Sequence, residues 1–146
     1  MPSTEEPQTP SGTQKGYEVM KEKGYVIEPM SPPLSALGAV LVSYMGKKSI
    51  ATDVLAELIG LNRSTLYRIL RGQRRPSRDT TIALGLALEI GFRNTQDLLK
   101  VARVAQLTSS NARDHELIYA LSQRYSVGHA NDWLHQRGHD ALRSSE

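Results

Sequence analysis

The chain has 146 residues, 39% of them apolar, and a formal charge of +3, a length that buries one modest core without a staple. It has no cysteine, which excludes disulfides and thiolate metal sites. Its longest strongly apolar stretch, Ile82 to Ile90, is interrupted by Glu89 and too short for a bilayer, and MPSTEEPQTP at the amino terminus has no targeting pattern, so a cytoplasmic protein is expected.

Residues 1 to about 13 combine Pro, Ser, Thr and Glu with almost nothing to bury, which predicts a disordered tail. Gly16 to Met30 carries Tyr17, Val19, Met20, Tyr25, Val26 and Ile27, enough for a short helix or a strap, before Pro29, Pro32 and Pro33 break it. A first helix is predicted from about Leu34 to Met45, with Leu37, Val40, Leu41 and Tyr44 on one face.

The segment Thr52 to Arg71, TDVLAELIGLNRSTLYRILR, carries the most information. A helix bearing Leu55, Ala56 and Ile59 must stop sharply, and Gly60 reverses the chain through a left-handed conformation at little cost. The turn then falls at Gly60, Leu61 and Asn62, with the Asn62 side-chain carbonyl placed to cap the next helix. From Arg63 onward, Leu66, Ile69 and Leu70 recur at helical intervals and form an inward face. Ala56 is small where the two helices cross, and Leu61 plugs the corner. The outer face of the second helix presents Arg63, Ser64, Tyr67, Arg68 and Arg71, all able to hydrogen-bond outward.

Past Pro76, Ser77 is a cap for a helix running to Ile90. Ile82, Ala83, Leu84, Leu86, Leu88 and Ile90 circle that helix, which places it at the centre of the fold. Asn94, with Asp97 three residues on, reads as a capping pair opening a shorter helix through Leu98, Leu99 and Ala102. The last third echoes this segment. With Asp79 set on Asp114, Leu86 falls on Leu121, Asp97 on Asp132, Leu99 on Leu134 and Leu107 on Leu142, five identities in twenty-nine, while Ile82 falls on Leu117 and Leu98 on Trp133. A second helical hairpin is therefore expected from Asn111 to Tyr125 and from about His129 to Arg137, as a degenerate repeat of 79–107 or as an unrelated pair. Leu117, Ile118, Leu121, Tyr125, Trp133 and Leu134 either close the core of the monomer, the expected use of most of them, or contribute to a subunit interface. No strand pattern occurs.

His135 and His139 have the spacing of two metal ligands on one helix turn, with Asp132 and Asp140 nearby. Gly138 should end the helix before His139, and no third ligand converges on them, so no metal site is assigned. There is no glycine-rich phosphate loop, nucleophile turn or convergent carboxylate pair, and the chain is not expected to be an enzyme or to hold a cofactor.

Charge is concentrated. Residues 47 to 78 hold eight basic side chains, Lys47, Lys48, Arg63, Arg68, Arg71, Arg74, Arg75 and Arg78, against Asp53 and Glu57, a net of +6. The segments on either side are net −2 and −1, so the isoelectric point of about 9.3 comes from one patch. A local basic patch favours polyanions.

Together with these residues, RILRGQRRPSRDTTIALGLAL (Arg68 to Leu88) resembles the Cro/C1-type (XRE-family) helix-turn-helix regulators of bacteria and phage, a resemblance that runs from about Leu34 to Ala102. Ala56, Gly60, Leu66 and Ile69 occupy the family's small, turn and core positions. Where the family usually has a glutamine or similar reader at the start of the first motif helix, this chain has Thr52. The resemblance implies that the second motif helix lies in the major groove with Arg63, Ser64, Tyr67 and Arg68 at base edges. Lys47, Lys48, Thr52, Asn62, Thr65, Arg71, Arg74, Arg75 and Arg78 are then expected at phosphates.

The expected fold is all-α: a Cro/C1-type domain of about five helices over residues 31–106, extended by a carboxyl-terminal hairpin over 107–146 and preceded by a flexible or loosely docked segment, 1–30. The expected function is sequence-specific binding of double-stranded DNA as a homodimeric transcriptional regulator. Repression is the expected sign, because a small domain without an effector module blocks polymerase by occupancy. No small-molecule ligand is indicated. The competing readings are a protein-interaction module working through the hairpin, such as an antitoxin or phage-defence component, and a non-specific nucleoid or RNA-binding protein using the patch alone.

Overall fold

A computed structural model describes residues 34–143, so the expected tail 1–13, the segment Gly16–Met30 and the amino-terminal region 1–30 lie outside the described residues. The described chain forms α1 (Ala36–Lys48), α2 (Thr52–Ile59), α3 (Arg63–Leu70), α4 (Arg78–Ala87), α5 (Gly91–Val101), α6 (Ala112–Ser122) and α7 (Val127–Gln136), with no strand among the described residues. This is the all-helical architecture of five helices and an appended hairpin that the sequence implies.

Each end has a local cause. Ser35 caps α1 by accepting the Gly38 N–H at 2.9 Å, which moves the helix start two residues beyond the expected one, and the helix runs on to Lys48 before Ser49 turns left-handed at φ 54°. Its buried line is Leu37, Leu41 and Met45, with Val40 and Tyr44 packed at the edge. α2 stops at Gly60, φ 75°, and the Leu61 N–H returns to the Ala56 carbonyl at 2.9 Å. The glycine corner of the motif is thus where the sequence puts it. Ser77 caps α4 by accepting the Thr80 N–H at 3.1 Å.

The boundary between α4 and α5 also differs from expectation, as do the ends of α6 and α7 by one to three residues. α4 ends at Ala87 rather than Ile90, because Glu89 takes a left-handed conformation (φ 55°) and the Ile90 N–H closes the turn on the Gly85 carbonyl. Asn94 and Asp97 do not open the next helix. That helix has already begun at Gly91, and the Asn94 amide donates back to the Ile90 carbonyl at 3.0 Å from inside it.

α4 divides two apolar clusters. Its Ala83 and Leu84, with Leu88 just past its end, join Leu41, Leu55, Leu66, Ile69 and Leu98 in the core beneath the motif. Its Ile82 and Leu86, with Leu99 of α5, face Leu117, Leu121 and Leu134 of the carboxyl-terminal hairpin. All the named residues of both sets are nearly inaccessible. The hairpin therefore spends its leucines on the chain's own interior. Its aromatic residues stay near the surface, where Tyr119 stacks on Trp133 with ring centres 4.9 Å apart and the Arg137 guanidinium lies over the Trp133 ring. Two ion pairs tie the hairpin to α4, Arg78 with Asp114 at 2.7 Å and Arg113 with Asp79 at 3.1 Å.

Candidate nucleic-acid interface

α3 is amphipathic in the sense that a groove-reading helix requires. Thr65, Leu66, Ile69 and Leu70 are buried, whereas Arg63, Ser64 and Arg68 are exposed and Tyr67 and Arg71 are half-buried. Its direction is fixed at both ends. The amino end follows the Gly60 corner, with Leu61 buried at the turn. At the carboxyl end the Leu70 carbonyl accepts both the Ser35 N–H at 3.0 Å and the Ser35 hydroxyl at 3.2 Å. Gly38 lets α1 come this close, since a Cβ there would stand 1.9 Å from the Leu70 oxygen. Ser35 and Gly38 are not among the residues the sequence singles out, although a serine three residues before a glycine at a helix start signals such a contact.

On this frame the outer ridge is electrostatically open. Arg63 and Arg68 form no ion pair with another described residue. The Arg71 guanidinium lies 5.5 Å from the centre of the Tyr67 ring, and Tyr67 also packs against the core, so these two side chains support each other along the ridge. Asn62 stands at the amino end of α3 in an extended conformation, but it does not cap the helix with its side chain. Its Oδ1 instead accepts the Ser64 hydroxyl at 3.2 Å.

Residue by residue, the expected phosphate contacts separate into two groups. Lys47 and Lys48 are exposed in the last turn of α1, where Lys47 lies 5.5 Å from the Tyr44 ring centre and Lys48 pairs with Glu89 at 3.1 Å. That pair is solvent-exposed and gives little net energy, so Glu89 is easily exchanged for a phosphate. Arg75 is exposed after α3 and donates to the Arg103 carbonyl at 3.2 Å, while Arg74 and Thr52 are half-buried. Two expectations are corrected. Thr65 is only 4% accessible and faces the core. The Arg78 guanidinium is half-buried and committed within the fold, donating to both oxygens of Asp114 and to the carbonyls of Ala105 and Gln106. The Thr65 side chain is thus inside the core, and the Arg78 guanidinium is already held by internal acceptors.

Asp114 shows how firmly Arg78 is committed. Burial by itself would raise the Asp114 pKa, but the Arg78 hydrogen bonds, the Thr108 N–H and the charges of Arg78 and Arg113 outweigh it and hold the carboxyl below the usual aspartate range.

A helix-turn-helix family model matches residues 51–93, which span α2, the Gly60 corner, α3, α4 and the first residues of α5. This segment is a Cro/C1-type (XRE) helix-turn-helix. Neither a curated protein nor a solved structure matches the chain. The matched segment, residues 51–93, is thus a helix-turn-helix of the kind that DNA-binding regulators carry. Among the described residues no helix is long and apolar enough to cross a membrane, and no three His, Asp or Glu side chains are grouped to hold a metal ion.

Proposed function

We propose that the protein is a sequence-specific transcriptional regulator, acting in the cytoplasm, that inserts α3 in the major groove and represses by occupying its site. The observation that carries this reading is the ridge of Arg63 and Arg68, exposed and without an ion pair among the described residues, on a helix whose other face is locked into the core. Guanidinium groups bind the O6 and N7 acceptors of guanine in pairs, each giving about 1 to 3 kcal/mol of discrimination. Arg63 and Arg68 are the base readers in this proposal, with Ser64 and Tyr67 beside them. Lys47, Lys48, Thr52, Asn62, Arg71, Arg74 and Arg75 supply the sequence-independent contact to phosphates.

A homodimer is part of the proposal, because one recognition helix reads few base pairs and a two-fold pair on half-sites about one helical turn apart multiplies selectivity. Sedimentation that finds a monomer both free and on its site would remove that part. The alternative, an interaction module built on the carboxyl-terminal hairpin, draws less support because Leu117, Leu121 and Leu134 are already used inside the chain. The test of the main reading is selection of bound genomic fragments near physiological salt, followed by competition with random duplex. Enrichment of one motif is expected, whereas equal affinity for all fragments would leave a non-specific binder.

A further inference from the structure

The two carboxyl-terminal helical hairpins hold each other through contacts that recur at a single offset. A shift of 35 residues carries Arg78 onto Arg113 and Asp79 onto Asp114. Arg78 donates Nη1 and Nη2 to the Asp114 oxygens at 3.0 and 2.7 Å, and Arg113 donates the same two atoms to the Asp79 oxygens at 3.1 Å each. The shift also relates their remaining bonds. Arg78 reaches the carbonyls of Ala105 and Gln106, and Arg113 reaches those of Asp140 and Ala141. The Asp114 carboxylate accepts the Thr108 N–H, and the Asp79 carboxylate accepts the Arg143 N–H. The Gln96 side chain accepts the Leu107 N–H, and the Asn131 side chain accepts the Leu142 N–H. The left-handed turn residue Glu89 falls on Arg124, which is left-handed too.

The apolar interior follows the same rule. Ile82, Leu86 and Leu99 on one side meet Leu117, Leu121 and Leu134 on the other, and these are the same three positions of each hairpin. Gly85 and Thr95 show the match at the level of single carbons. A Cβ on Gly85 would lie 2.3 Å from the Thr95 hydroxyl oxygen, so the first hairpin pairs no side chain with a larger one. Its counterpart positions are Ala120 and Ala130, both buried in the same apolar cluster, where two small side chains stand in place of glycine and threonine.

When residue i of one body meets j of the other, and the counterpart of j meets the counterpart of i, the contact is isologous, as between the subunits of a two-fold dimer. We infer that residues 78–108 and 113–143 are two copies of one hairpin paired about a local two-fold, and that the inner face of α4–α5 is therefore self-complementary. With α6–α7 displaced, that face takes α4–α5 of a second copy of this chain, Arg78 of each meeting Asp79 of the other. The chain's own hairpin occupies the seat of a dimer partner and keeps that face closed. The inference stands independently of what α3 binds.

The test uses the full chain. Arg113→Ala/Asp114→Ala releases both clamps on the hairpin side while leaving Arg78 and Asp79 in place. Sedimentation velocity should then show a self-association step beyond whatever oligomer the unaltered chain forms, and adding Asp79→Arg, which sets arginine against Arg78 of the second copy, should abolish that added step. No added association in a protein that keeps its helical circular dichroism, or added association that survives Asp79→Arg, overturns the inference. Should the double variant lose its helix content, an exchange inside the second hairpin decides. Ala130→Thr alone should lower the urea midpoint, and Ala120→Gly added to it should recover at least half of that loss, because the first hairpin holds its threonine over a glycine. A double variant no more stable than Ala130→Thr shows that the hairpins do not share one geometry.

Discussion

Arg68 on α3 and Arg78 at the start of α4 are ten residues apart in sequence and have opposite circumstances in the fold. Arg68 projects from an exposed position and forms no ion pair with another described residue. Arg78 is enclosed by both oxygens of Asp114 and two backbone carbonyls. What separates them is the set of acceptors that the chain supplies. The outer face of α3 carries no carboxylate, with Asp53 and Glu57 both on α2, whereas α6 delivers Asp114 to Arg78. A guanidinium whose acceptors are built in holds the fold together, and one whose acceptors are missing is kept for an anionic partner.

Removing the enclosed arginine is the severest way to test that contrast. Arg78→Ala strands a buried Asp114 and should cost about 3 to 5 kcal/mol in urea denaturation, the range for breaking a buried pair from one side. Arg63→Ala or Arg68→Ala should cost no more than about 0.5 kcal/mol in the same experiment. Equal losses at the two kinds of position would erase the distinction.

Next in size is the seat of α3. Gly38→Ala drives a methyl group into the Leu70 carbonyl, and backbone yields less readily than a flexible side chain. A loss of about 1 to 3 kcal/mol is expected from this overpacking. DNA affinity should fall as well, even well below the unfolding temperature, because α3 is displaced from its frame. Full affinity with lowered stability would show that the reading helix does not depend on α1 for its position.

Acid approaches the Arg78 pair from its other member. Because Asp114 has its pKa lowered in the folded state, its contribution is complete above the unfolded-chain value of about 3.9 and is lost as pH falls through the lower folded value. Stability measured from neutrality down to about pH 2 should therefore drop most steeply below about pH 4. Asp114→Asn should flatten that drop while lowering the neutral plateau. An unchanged acid limb in Asp114→Asn would assign it to other carboxylates.

The smallest effect sharpens the comparison among the exposed arginines themselves. Arg75→Ala should weaken specific and random duplex alike and reduce the slope of log affinity against log salt by about 1. A selective loss for the preferred site would move Arg75 from the phosphates to the bases.

The motif was legible because its determinants are local. Gly60, Ala56 and the Leu66, Ile69, Leu70 spacing act within two consecutive short helices, and the left-handed corner at Gly60 needs no distant partner. Ser77 was legible for the same reason. Arg78 and Thr65 were misread because their surroundings are not local. Arg78 resembles Arg74 and Arg75 until a carboxylate 36 residues later comes into contact with it. Thr65 looks polar and outward until the core reaches its side of α3. Asn94 misled through a spacing that suits a cap, because nothing in the short range shows that Gly91 has already started the helix. Gly38 was invisible as a contact because its requirement lies in the carbonyl of Leu70, across the fold.

The most direct test of the central claim is a competition measurement of Arg63→Ala and Arg68→Ala against the unaltered protein, with the selected duplex and random duplex at one salt concentration. The account expects the preference for the selected site to shrink by about 1 to 3 kcal/mol per bidentate contact while binding to random duplex stays nearly unchanged. Parallel losses on both duplexes, or no loss on either, would contradict a DNA-reading role for the α3 ridge.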